Sequence, residues 1–84
     1  MARVRLDPNV LRTRIRQLRK ERGLNVNAFA LRIGCSTGSC VTWWERGERL
    51  PSAVYLFAIA QACNVSVDWL LGLTDERREV NHDC

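Results

Sequence analysis

Gly23, Gly34, Gly47, Asn64 and Gly72 divide this chain into short segments. Each can take the left-handed backbone that closes a helix: glycine because it has no Cβ, asparagine because it tolerates positive φ. All but the last are followed within a few residues by a small polar residue able to start the next helix. These are Asn25, Ser36 or Thr37, Ser52 and Ser66. The chain opens in the same way, with the acceptor Asp7 followed by Pro8, which suits the first helical position. Such punctuation permits only short helices. A helix of about two turns does not hold itself together in water, so each must be stabilised by packing on its neighbours.

The apolar pattern agrees. Leu11, Ile15, Leu18 and Arg22 follow at helical spacing after Pro8, with Arg12, Arg16 and Arg19 elsewhere on the surface. Asn25 caps a second helix whose inner face is Phe29, Ala30 and Ile33. Cys35-Ser36-Thr37-Gly38 is a polar turn. Thr37 is the preferred cap of a third helix, with Ser36 the second choice, and Val41 and Trp44 form its inner face. After the loop Glu48-Arg49-Leu50-Pro51, Ser52 caps a fourth helix that carries Leu56, Ile59, Ala60 and Cys63 inward. Ser66 caps a fifth with Val67, Leu70 and Leu71. No segment sustains the period-two alternation of a strand. The reading is all-α, a five-helix domain over residues 1–73 with a mobile polar tail over 74–84. At 84 residues there is room for one domain.

Charge narrows the function. Residues 1–22 hold eight basic and two acidic groups, residues 23–73 three of each, and residues 74–84 two basic and four acidic, within an overall +4. A basic front end suits a polyanion such as nucleic acid, and it equally suits an arginine-rich solvated helix face. No apolar run approaches the ~18 residues of a membrane span, and MARVRLDPNV lacks the apolar centre of a secretory signal. A cytoplasmic location is expected, with free thiols at Cys35, Cys40, Cys63 and Cys84. No pair of these has C-x-x-C spacing, and His82 near Cys84 has no evident further ligands, so neither metal nor cofactor is expected. No acid or His is placed to activate a thiol, and no residue set supports catalysis.

From about Val10 to Asp75 the segments IRQLRKERGLN (15–25), FALRIG (29–34), WERGERLPS (44–52), AQACNVSVDWLL (60–71) and the following GLTD come in an order and spacing that resemble the Cro/CI-like (XRE-type) helix-turn-helix regulators of phage and bacteria. The resemblance implies a compact five-helix bundle of the lambda-repressor-like type. Helices 2 and 3 form the helix-turn-helix, and helix 3 enters the major groove of operator DNA. By position, Gly38, Ser39 and Trp43 are then the candidates for base contact. Asn25, Thr37, Cys40 and Arg46 lie near phosphates, and Arg49 reaches the backbone as an anchor. Thr37, Gly38, Ser39 and Trp43 are expected to face outward. Arg19 and Glu45 can be read as DNA contacts, but the resemblance implies a structural ion pair between the first and third helices. Arg3 and Arg5 are either a basic arm that follows the duplex or part of a disordered terminus.

The sequence departs from the family where base reading is expected. Val26 stands where relatives often carry Gln, and Gly38 and Ser39 replace long polar side chains. The stretch from Gly34 to Glu45 is one residue longer than the usual spacing, with the extra residue at Ser36 or Thr37. Trp44 is expected in the core beside Leu18 or Leu56. Val54, Tyr55, Phe57 and Ala58, with Trp69 and Leu73, carry more apolar surface than one inward face needs and suggest an interface. The expected function is a sequence-specific DNA-binding transcriptional regulator, a repressor that binds a palindromic operator as a homodimer, and not an enzyme. The alternatives are the antitoxin of a toxin–antitoxin pair, with a protein partner, and a protein-interaction module on the same fold.

Overall fold

The computed structural model describes residues 7–78. It has five helices, α1 (Pro8–Glu21), α2 (Val26–Arg32), α3 (Ser39–Arg46), α4 (Ala53–Cys63) and α5 (Val67–Leu71), with no strand among the described residues. The architecture is the all-α bundle that the helix stops require. Arg3 and Arg5 lie outside the described residues, as do His82 and Cys84.

Four helices start as their polar residues dictate. Asp7 accepts the Asn9 N–H at 2.9 Å, Asn25 that of Ala28 at 2.8 Å, Ser52 that of Tyr55 at 3.5 Å and Ser66 that of Trp69 at 2.9 Å. Each bond satisfies a donor that the first helical turn leaves without a partner. At the other end of α4, Asn64 adopts φ 55° and closes the helix.

The start of α3 differs from expectation. Neither Thr37 nor Ser36 caps it. Gly38 occupies that position and offers no side-chain bond. Its N–H donates instead to Asn27 Oδ1 on α2 at 2.8 Å. A Cβ at Gly38 would lie 2.5 Å from that oxygen and 2.8 Å from Val26 Cγ2. Close approach of the two helices therefore decides where α3 begins. Gly38 is buried beneath α2 and does not face outward.

The core is Leu11, Ile15 and Leu18 of α1, Phe29 and Ala30 of α2, Val41 and Trp44 of α3, Ile59, Ala60 and Cys63 of α4, and Trp69 and Leu70 of α5. Each fully buried large apolar side chain contributes about 1.5–3 kcal/mol. α1 lies against both α3 and α5, α2 against α3, and α4 against α5. The Trp44 ring meets Tyr55 with centroids 5.3 Å apart. Leu56 is only half-buried.

Two expectations about the C-terminal part are corrected. Trp69 is a core residue rather than part of an exposed apolar face, with the guanidiniums of Arg14 and Arg77 over its ring at 4.7 and 4.9 Å. Residues 74–78 are not free of the bundle. Arg14 donates to the carbonyls of Trp69 and Thr74 and to the Asp75 carboxylate, while Ser66 N–H donates to the Arg77 carbonyl. Arg77 also pairs with Glu21 at 2.6 Å. Buried backbone groups need partners, and these arginines supply them to the turn after α5.

Candidate nucleic-acid interface

α3 is amphipathic in the simplest sense. Val41 and Trp44 point into the core, and Ser39, Trp43 and Arg46 are exposed. The exposed three follow one another by four and then three residues, the spacing that aligns side chains along one helix face. Ser39 sits at the first helical position, Trp43 one turn on, and Arg46 in the last turn.

That face is held at a fixed angle by Arg19. Its Nε and Nη2 donate to the two oxygens of Glu45 at 2.6 and 2.9 Å, and its Nη1 donates to the Leu24 carbonyl at 3.0 Å. One guanidinium thus ties α1 to α3 and to the turn before α2. The side chains keep only 15% and 10% of their surface exposed, so both face inward and neither is offered to a duplex. The hydrogen bonds from Glu45 hold the Arg19 pKa above its ordinary value, and the pair stays ionic throughout the range where the protein is folded.

The loop after α3 wraps back over its end. Glu48 N–H donates to the Trp43 carbonyl at 2.9 Å, and the Arg49 guanidinium lies 4.2 Å from the centre of the Trp43 ring. The two residues that the sequence separates into base contact and phosphate anchor therefore form one unit, with a cation on an aromatic face. Arg46 is exposed, 3.9 Å from Glu48, and Asn25 and Thr37 are exposed at the two ends of the α2–turn segment. The Asn25 side-chain oxygen is occupied as the α2 cap.

Cys40 is placed differently from the other phosphate candidates. It is half-buried, and its Sγ lies 2.8 Å from Cys35 Sγ. Burial, followed by the bond to Cys35, pushes its pKa up to about 11.

The arginines of α1 carry roles that composition did not reveal. Arg14 holds the segment after α5, Arg19 holds Glu45, and Arg22 donates to the Cys63 carbonyl at 2.8 Å. Much of the basic front end is thus internal scaffolding. Arg16 and Lys20 remain exposed for a polyanion. The one available signal for the scaffolding was spacing: Arg22 falls on the same stripe as Leu11, Ile15 and Leu18.

Two short helices joined by a tight turn, the second with an outward polar face and an inward apolar one, make up a helix-turn-helix. The family model described as helix-turn-helix matches residues 15–70, and the chain belongs to that family, in its Cro/CI-like branch. It is 38% identical over 63 residues to YobD, an uncharacterized HTH-type transcriptional regulator of Bacillus subtilis (strain 168), a match that covers 75% of this chain. The match spans only about half, 55%, of the YobD sequence. A second relative from the same organism, the uncharacterized HTH-type transcriptional regulator YazB, is 42% identical over 57 residues, covering 68% of this chain and 81% of YazB. Among solved structures, the chain is similar to the P22 c2 repressor, crystallised in complex with a synthetic operator. The TM-score is 0.68 at 31% identity, over 73% of this chain and 91% of that one.

Proposed function

We propose that this protein is a sequence-specific DNA-binding transcriptional repressor that lays α3 in the major groove of a palindromic operator and binds as a homodimer. The observation that carries the reading is the single outward face of Ser39, Trp43 and Arg46, on a helix whose angle is fixed by Arg19 and Glu45. The likeness to a repressor solved with its operator supports it.

Ser39 is the base-reading hydroxyl at the leading end of α3. Trp43 presents an indole N–H and an apolar edge, suited to a thymine methyl or a sugar. Arg49, stacked on that ring, contacts the phosphate backbone together with Arg46, Thr37 and the amide of Asn25. Gly38 has no part in base reading in this scheme, because it is covered by α2. Cys40 offers the duplex at most its backbone, because its thiol is turned towards Cys35. Arg3 and Arg5 remain a proposed arm beside the helix. Dimerisation uses the outer side of α4, where Val54 and Phe57 stand one turn apart and are 74% and 61% exposed. The protein regulates by occupancy and catalyses nothing.

Binding to a labelled duplex across a salt series tests the reading. Log affinity falls linearly with log salt, at about −0.9 per phosphate neutralised. A protein-interaction module on the same fold would show no such dependence, and no retention of duplex at low salt.

A further inference from the structure

We propose that Cys35 and Cys40 form a two-thiol modification site that hydroperoxides oxidise to an intramolecular disulfide, at the turn that sets the start of α3. Cys35 lies just beyond α2 and Cys40 is the second residue of α3, so the pair brackets the whole turn of the helix-turn-helix. Their sulfurs are 2.8 Å apart. A disulfide holds its sulfurs at about 2.05 Å, so closure needs less than about 1 Å of approach. Cys63, by contrast, borders a different cleft with Glu21 and Arg22 and has no sulfur partner among the described residues.

The pair is accessible from one side. Ser36, Thr37, Ser39, Trp43 and Tyr55 line an open cleft of about 320 Å³ that reaches both cysteines. Cys35 is buried and Cys40 only half-buried, which gives each a role. The Cys40 thiolate attacks one peroxide oxygen, the O–O bond breaks, and Cys40 becomes a sulfenic acid as water or an alcohol leaves. The Cys35 sulfur then attacks the Cys40 sulfur, the S–O bond breaks, and a second oxygen leaves as water. Two thiols and one hydroperoxide thus yield a disulfide, an alcohol or water, and water. The two electrons come from the sulfur pair. A dithiol reductant reverses the step by exchange. Cys40 is mostly protonated at neutral pH, because burial pushes its thiol up to about 11. Oxidation is therefore slow and answers sustained oxidant rather than turning peroxide over.

The consequence for DNA rests on the function proposed above. Gly38 cannot yield, since Asn27 Oδ1 and Val26 already fill the space around it. The displacement falls on Ser36 and Thr37 and on Ser39, the leading residue of the exposed face. Oxidation then weakens duplex binding by about tenfold, the equivalent of one good base contact.

The test uses the full chain carrying Cys63→Ser and Cys84→Ser, so that only the pair can react. Trypsin releases residues 33–46 as one peptide holding both cysteines. After hydrogen peroxide and then an alkylating agent, that peptide should have lost two hydrogens and carry no label. Adding Cys40→Ser or Cys35→Ser should abolish the change. A peptide that takes two labels, or a disulfide that links two chains, overturns the proposal. Duplex affinity is measured on the same samples, reduced, oxidised and re-reduced. A disulfide that leaves affinity unchanged overturns the control of binding. A disulfide in a protein that binds no duplex even when reduced supports the thiol site and contradicts the DNA-binding function instead.

Discussion

Arg19 and Glu45 meet in two hydrogen bonds of 2.6 and 2.9 Å, and through them α1 sets the angle of α3. Removing one partner of a mostly buried ion pair leaves the other charge without compensation. Glu45→Ala should cost about 2–3 kcal/mol of stability, several degrees of thermal midpoint for each kcal/mol in a domain of this size. Glu45→Gln should cost less, since it keeps one acceptor for the guanidinium. Thermal unfolding followed by circular dichroism reads both. An unchanged midpoint with weakened DNA binding would mean that Glu45 acts on the duplex and not on Arg19.

Gly38 has φ −78°, which any residue can adopt, so Gly38→Ala isolates the contact with α2 from backbone strain. The added methyl would sit 2.5 Å from Asn27 Oδ1, and overpacking of this kind costs about 1–3 kcal/mol. Asn27→Ala in the same chain should recover part of that loss. A urea series on the two single variants and the double variant gives the coupling, and additive losses would show that the two residues do not interfere.

Ser39 and Arg49 should separate by kind of effect. Ser39→Ala should relax preference at one base position by about 1–3 kcal/mol while leaving the salt slope intact. Arg49→Ala should weaken all duplexes alike and reduce the slope by about one. Equal loss of preference in both variants would mean that the Trp43–Arg49 unit reads bases as a whole.

Arg77 and Gln17 hydrogen-bond the Glu21 carboxylate and hold its pKa below the ordinary 4.5. A carboxyl with a depressed pKa stabilises the fold above its unfolded value and loses that contribution as pH falls through the folded value. Arg77→Ala should raise the Glu21 pKa towards 4.5 and move the onset of acid destabilisation up in pH. A proton NMR titration of the Glu21 side chain measures the shift directly, and a titration identical to that of the parent would contradict the pairing.

Phe57→Asp should dissociate the proposed dimer. Burying such a ring contributes about 1.5–3 kcal/mol, counted twice across a two-fold interface. Sedimentation equilibrium should then find a monomer with an unchanged circular dichroism spectrum. A variant as dimeric as the parent would move the interface elsewhere.

The helix pattern was legible because its signals are local. Asp7, Asn25, Ser52 and Ser66 cap their own helices, and Asn64 ends one, through bonds and backbone angles that involve only near neighbours. The start of α3 was not legible, because it depends on Gly38 meeting Asn27 across two helices, a contact with no local signal. The same limit hid the scaffolding by Arg14 and Arg22 and the docking of residues 74–78, where side chains reach across more than forty positions of sequence. Trp69 looked like surplus apolar surface until two guanidiniums were found over its ring.

Selection from a pool of random duplexes, bound and recovered over several rounds, asks whether the face of Ser39, Trp43 and Arg46 reads sequence. The expected result is enrichment of a palindrome with half-sites one helical turn apart, about 34–36 Å centre to centre, with one position per half-site lost in Ser39→Ala. A pool that stays random, or a chain that retains no duplex at low salt, would contradict the reading of α3 as a recognition helix.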